Sequence, residues 1–454
     1  MDSLPAQTEQ NNVSRWKTTF RALRHRNFQL FFSGQLISLV GTWMQTIAES
    51  WLVYRMTGSS LLLGSIGFTA QIPVFLFAPV GGIAADRLDR RKLVIATQAS
   101  SMTLALTFAT LTLTGLIKLE YIFVLAGLLG VVNAFDIPAR QAFMVEMVGR
   151  EDLMNAIALN SSMFNGARIV GPAIAGLLIA KIGEGWCFFG NGMSYIAVIA
   201  GLLMMRVPRR EHSTKGSAIS NVIEGFGFVR HNIAIRDLML LLGVVSLVAM
   251  PYAVLMPIFA DRILHGGARG LGILMGATGV GALLAALTLA SRSELRGISR
   301  LIGWAAFGFG ACLIAFSWSR SFWLSVAVLV PVGFGMMMET TSSNTLIQAM
   351  VPDELRGRVM AVYTMMFMGM APLGSFFAGA IAEKVGAPIA LSLGGVAAMV
   401  CAGIFLYRLP KFRINARRLV LAQGLAGGDP PQEIISDGAV NPPFSTEQPT
   451  QLRD

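Results

Sequence analysis

Apolar stretches, each about 20 residues or longer, alternate with short polar turns along most of the chain. A helix of that length crosses the ~30 Å hydrocarbon core of a bilayer. Twelve such stretches are predicted, at 28–54, 60–85, 93–115, 120–147, 156–181, 186–205, 237–260, 270–291, 299–317, 322–349, 359–383 and 387–407. The expected class is therefore all-α and integral to the membrane. Residues 1–26 are polar and basic, with no apolar core of a cleavable leader, and read as a tail. Residues 408–454 carry Pro430, Pro431, Pro442, Pro443 and Pro449 and are expected to be a disordered tail.

The pattern repeats at an offset of 203 residues. Gly176–Gly183 reads GLLIAKIG and Gly379–Gly386 reads GAIAEKVG. At the same offset Gly130 meets Gly333, Val148 meets Val351 and Glu151 meets Glu354. Asp136 meets Glu339, both acidic and both inside an apolar span. Two six-helix halves, 27–205 and 237–407, are thus expected in the same orientation, joined by a polar linker at 206–236. Parallel repeats of this kind place a site at their interface and rock about it. In the linker, Ile219, Ile223, Phe226 and Val229 have the spacing of an interfacial amphipathic helix.

Composition sharpens the class. The 454 residues are 54% hydrophobic and only 13% charged, too few charges to cover a soluble surface. The net charge of +11 invites a nucleic-acid reading, but the positions of the charges argue for topology instead. Most of the 36 Lys and Arg residues fall in the tails, the linker and alternate loops. The opposite loops hold only Arg55, Lys118, Lys181, Arg262, Arg269, Arg320 and Lys384. By the positive-inside rule both termini are cytoplasmic. Cys187, Cys312 and Cys401 lie apart in apolar stretches, which excludes a disulfide scaffold. His25, His212, His231 and His265 pair with nothing at ligand spacing, so no metal is expected, and no Walker loop suggests ATP drive.

The loop after the second span reads GGIAADRLDRRKLV, from Gly81 to Val94. It resembles the signature loop of the major facilitator superfamily through Gly82, Asp86, Arg87, Arg90 and Arg91, with Asp89 in place of the usual glycine. The resemblance implies close helix contact at Gly82 and a cytoplasmic charge network through Asp86 that latches the halves. The matching segment of the second half, SRSELRGISR from Ser291, lacks the aspartate. The fifth span holds FNGARIVGPAIAG, Phe164 to Gly176, which resembles the Gly-Pro motif of the superfamily's antiporters through Gly171, Pro172 and Gly176. There the motif is associated with sealing one conformation. NAFDIPARQAF (Asn133–Phe143) and VGREDLMNAIALN (Val148–Asn160) resemble the branch of enterobactin exporters and macrolide efflux proteins. Some relatives of that branch move lysophospholipids, so the branch does not fix a substrate.

Ionisable groups at membrane depth cost at least ~2.5 kcal/mol each on insertion scales, so they face a cavity or a partner. Asp136 and Glu339 fall near the midplane, and Arg140 and Asn133 share the face of Asp136. Ser161, Asn165, Arg168 and Pro172 form one polar stripe, and Ser38, Thr42, Gln45 and Glu49 another. In the superfamily's fold, helices 1, 4, 7 and 10 line a central cavity, which implies that Glu49, Asp136 and Glu339 line it. Asp136, Glu339 and Glu49 are the candidates for proton coupling, through a changing Asp136–Arg140 or Asp136–Arg168 distance. Arg140, Arg168, Asn133, Asn165, Gln45 and Thr42 are the candidates for binding substrate, Arg140 and Arg168 for an anionic or phenolic one. The expectation is a monomeric, cofactor-free, proton-coupled exporter of a small organic molecule in a bacterial-type inner membrane, working by alternating access. It is not expected to be an enzyme. Facilitated uptake, uniport or lysophospholipid movement without antiport is the alternative.

Overall fold

The computed structural model describes residues 21–149, 151–206, 218–291 and 297–425. Among them fourteen α-helices occur. The first half holds α1 (Arg26–Thr57), α2 (Ser60–Arg87), α3 (Arg90–Leu113), α4 (Leu119–Val148), α5 (Leu153–Ile182) and α6 (Glu184–Met204). The linker forms α7 (Ala218–His231). The second half holds α8 (Ile233–Val248), α9 (Tyr252–Ile258), α10 (Gly267–Ala290), α11 (Ile298–Trp318), α12 (Phe322–Met350), α13 (Asp353–Val385) and α14 (Ala387–Leu425). Eleven spans are long and apolar enough to cross a membrane, counting Ile233–Ile263 as one. The remaining expected span is α1, which packs on α5 and α6 and whose polar stripe dilutes its hydropathy.

Local chemistry sets the ends. Ser59 caps α2 by accepting from Leu62 N, and Asp89 caps α3 by accepting from Lys92 N at 3.0 Å. Asp89, which replaces the glycine of the signature loop, is therefore a helix cap. The internal repeat reaches the backbone itself: Gly183 ends α5 with φ 91° and Gly386 ends α13 with φ 89°. Only glycine takes that conformation without strain.

Two spans depart from expectation. The seventh is broken: α8 stops at Val248, Pro251 precedes α9, and a π-turn follows at Phe259–Ile263. Pro251 and Pro257 remove backbone donors, which frees carbonyls and interrupts the regular ladder. The twelfth does not give way to disorder at 408. It continues to Leu425, because Leu409, Phe412 and Ala416 keep a buried face at helical spacing and Arg408 pairs with Asp237 at 3.5 Å. The prolines from Pro430 onward, His212 and residues 292–296 of the segment from Ser291 lie outside the described residues.

The halves meet through α2 with α13 and through α5 with α10. The end of the bundle away from both termini is closed. A methyl on Gly176 would sit 2.9 Å from Ala268 O and 3.0 Å from Gly272 Cα, so the backbones touch. Gly64 and Gly379 make the same approach between α2 and α13. Toward the end that carries the termini the helices part. Ile157, Ser161 and Phe164 of α5 are exposed, as are Pro79 and Asp86 of α2. The result is a cleft between the halves, closed at the distal end and open at the proximal one. At the open end α7 docks on α13, with Glu224 ion-paired to Arg358 and Gly225 against the Arg358 backbone. The turn Arg21–Arg24 is fastened to the α4–α5 junction. Arg21, Arg24 and His25 converge on buried Asp152 at 2.8, 2.8 and 2.7 Å. The His25 hydrogen bond and the two guanidinium charges hold the Asp152 carboxyl below its ordinary value.

Candidate functional site

Asp136 is 3% exposed and lies inside the first half, behind the cleft wall. Thr97 Oγ1 and Gln98 Nε2 of α3 donate to its Oδ1 at 2.8 and 2.9 Å. Arg140 Nη2 approaches Oδ2 at 3.2 Å. Three donors on two oxygens satisfy the carboxylate as an anion. Of the two arginine partners expected for Asp136, the structure selects Arg140; Arg168 is elsewhere. Between α1 and α6, Asn191 Nδ2 donates to Gln45 Oε1 at 2.7 Å, and Tyr195 lies among Thr42, Ser101 and Asn191. Gln45 is therefore a buried strut between α1 and α6 and does not face the cleft, because Gly41 lets α6 close on that side of α1. Asn165 is also buried, and its Nδ2 returns to Ser161 O within α5. Thr42 is exposed on the cleft side, and Asn133 is half-buried.

Glu339 is the repeat partner of Asp136, and its surroundings differ. It is 0% exposed, no cation among the described residues pairs with it, and neither carboxyl oxygen makes a well-formed hydrogen bond, the Ser343 hydroxyl being the donor in reach. The hydroxyls of Ser342 and Ser343 are unpartnered as well. Tyr363 of α13 and Cys401 of α14 are near enough to feel its charge, and Tyr363 donates to Thr340 O at 3.0 Å. Glu339 thus lies in the core of the second half, not on the cavity wall where the resemblance puts it. Glu49 is half-buried near the distal end of α1.

Arg168 stands at the midpoint of α5, where α1, α10 and α12 approach. Its guanidinium carbon lies 5.6 Å from the centre of the Trp43 ring, and Nη2 reaches Met336 Sδ of the other half at 3.7 Å. Gly171 fits α5 against Trp43 Cβ and Val40 O of α1. Gly176 and the Pro172 carbonyl fit it against Gly272 of α10. The Gly-Pro motif is therefore built into the distal seam.

The signature loop is wired within its own half. Arg90 pairs with Glu146 at 2.9 Å and with Asp86 at 3.5 Å. Arg91 donates to the carbonyls of Leu202 and Leu203 at the end of α6. Asp86 is 68% exposed at its side chain, and Arg87 is exposed too. A methyl on Gly82 would meet nothing within 4 Å. The glycine that packs is Gly81, against Ala134 and Phe135 of α4. Among the described residues Gly82 lacks the expected close contact and Asp86 pairs with Arg90 of its own half, in keeping with a cleft open at that end.

Sequence reasoning missed the distal gate. Tyr54 Oη donates to Asp261 Oδ2 at 2.8 Å, and Arg262 covers the Tyr54 ring at 5.6 Å. Glu383 of α13 accepts from Ser59 Oγ and Leu61 N, each at 3.1 Å, and so caps α2 from across the seam. Only loop charges at Arg262 and Lys384 were visible beforehand.

Two pseudo-symmetric halves of six membrane-length spans around a central cleft define a multi-pass membrane transporter of the major facilitator fold. The chain belongs to the transmembrane secretion effector family of that superfamily, whose profile matches residues 17–422. It is similar to the staphyloferrin A transporter of Staphylococcus aureus, 24% identical over 389 residues that cover 85% of this chain and 97% of that one. It is similar to the multidrug efflux pump Tap of Mycolicibacterium fortuitum, 28% identical over 404 residues, 85% and 96% of the two chains. The enterobactin exporter EntS of Escherichia coli O157:H7 is 24% identical over 437 residues, 94% and 100% of the two. Among solved structures, the nucleoside transporter NupG superposes with a TM-score of 0.65 over 85% of this chain and 98% of its own. At 15% identity that likeness is one of fold alone.

Proposed function

We propose that the protein is a proton-coupled exporter of a small organic molecule that works as a monomer, by alternating access, in a bacterial inner membrane with both termini cytoplasmic. The named functions of the staphyloferrin A, enterobactin and Tap relatives support export of siderophores or drugs. With the termini inside, the described arrangement is the inward-open one, ready to load from the cytoplasm. The signature loop then latches only on return to the outward-open state, when α2 and α13 close at the proximal end and bring Gly82 and Asp86 to their partners.

The observation that carries the coupling is Glu339. An ionised carboxylate enclosed with no cation and only the Ser343 hydroxyl in reach is heavily penalised, so binding a proton removes a charge that burial opposes. Asp136 has no such need, since Arg140, Thr97 and Gln98 already serve it. Glu339 is therefore the proton site, and Asp136–Arg140 the fixed counterpart in the other repeat.

The test uses everted vesicles with an imposed proton gradient and a pH-sensitive dye. Catecholates, polycarboxylates, macrolides and lipophilic cations are added in turn. One class should release protons from native vesicles, and Glu339→Gln vesicles should show no release. Unaltered proton release in inserted Glu339→Gln would sink the assignment. Gradient-independent flux of the same compound in native vesicles would replace antiport by facilitated movement.

A further inference from the structure

We infer that Arg168, with Trp43 and Phe164, forms the anchoring subsite for an anionic aromatic substrate, a small organic acid whose carboxylate or catecholate lies beside a ring. This deepens the transport reading and rests on it. Among the described residues the other arginine at mid-depth and those of the distal clasp have an anion at hand, while Arg269 and Arg320 at the distal end are exposed to solvent. Arg140 has Asp136, Arg55 has Glu184 at 3.0 Å, and Arg262 lies beside Asp261 and Tyr54. Arg168 has none. Its Nε is buried without a partner, and its other named contacts are a ring face and a thioether sulfur. Both are weak acceptors beside a carboxylate. A guanidinium with five donors in a fork is suited to a planar oxyanion, and the medium here is of low dielectric.

The position agrees with a ligand site. Arg168 lies directly below the Gly176–Gly272 seam, at the closed inner end of the cleft. Phe164 is one turn closer to the opening and is 45% exposed. That exposure faces the cleft. Leu177, on the lipid side of α5, is thirteen residues away, about 220° round the helix at 100° per residue. Phe164 meets Trp43 edge-on with centroids 5.6 Å apart, which leaves a ring edge and face toward the opening. Met336 is the one group of the second half that Arg168 touches through a named contact. An arriving oxyanion replaces that weak contact with charge-assisted hydrogen bonds, so loading draws the guanidinium away from the second half.

The test is an equilibrium measurement on purified protein in lipid nanodiscs, with no gradient, so it succeeds or fails independently of the vesicle assay. Three matched quenchers of tryptophan fluorescence are titrated: 3-nitrobenzoate, 3-nitrobenzamide and 3-nitrobenzylammonium. The anion should quench saturably at about ten- to a hundredfold lower concentration than the amide, the worth of one or two charge-assisted hydrogen bonds. The saturable component should vanish in Trp43→Phe. In Arg168→Gln the anion should fall to the affinity of the amide, and Arg168→Lys should keep part of the preference. Equal affinities in the native protein, a preference that survives Arg168→Gln, or no saturable quenching by any probe would each overturn the subsite. If Arg168→Gln does not fold, the native anion preference and its loss in Trp43→Phe decide the matter.

Discussion

Asp136 and Glu339 stand at equivalent places in the two repeats, and their neighbours give them opposite characters. Asp136 gathers three donors, one of them a guanidinium, whereas Glu339 has no cation and only the Ser343 hydroxyl in reach. Removing the charge of Asp136 leaves Arg140 at membrane depth without its counter-ion. Breaking one side of a buried pair costs about 3–5 kcal/mol. Asp136→Asn should therefore lower the melting temperature of the purified protein clearly, while Glu339→Gln, which replaces one neutral-capable group by another of the same shape, should leave it near native. Equal melting of the two variants would show that the asymmetry of their surroundings has no energetic weight.

Helices carry the seam. The closed end depends on glycine facing glycine, and a side chain there must push α5 from α10. Overpacking of this kind costs about 1–3 kcal/mol, which shifts a two-state balance by ~10- to 100-fold. Gly272→Leu should thus populate the distally open state. A cysteine in place of Glu49 should then react faster with an impermeant maleimide added from that side, after subtraction of the three native cysteines. Much of this element level was legible in the chain. Hydrophobic period placed the spans, and the GLLIAKIG and GAIAEKVG segments announced the repeat that Gly183 and Gly386 bear out in backbone angle. The Gly-Pro motif indicated where α5 would be tightly packed. Neighbours were not legible. A polar stripe on α1 gives a direction but not what lies in that direction, so Gln45 and Thr42, three residues apart, end in a buried strut and on an open wall. Periodicity along α4 shows Arg140, but the other two partners of Asp136, Thr97 and Gln98, come from α3, which it cannot see. The pairing of Tyr54 with Asp261, 207 residues on, depends on how the halves lean together.

At the scale of the whole molecule the halves are fastened on one side by few groups. Glu383 caps α2 across the seam, and Tyr54 with Arg262 and Asp261 forms a second clasp. A cross-half cap of this kind contributes about 1 kcal/mol. Glu383→Gln with Tyr54→Phe should loosen the distal face by roughly thirtyfold in population, about 1 kcal/mol for each of the two clasps. Spin labels on the distal ends of α1 and α9 would then report a second, longer distance. An unchanged single distance would mean that the glycine seams alone hold that face. Since closure at one end frees the other, the double variant should also raise protection of proximal cysteines placed at Asp86.

Both membrane-depth carboxyls sit behind the cleft, each within its own half, while Arg168, Phe164 and Thr42 form part of its surface. If the proposed roles hold, the fuel line and the cargo hold are lined by different residues. A lineage with that plan would be free to exchange one exported compound for another by substitutions in the wall, and its energy source would go on working unaltered.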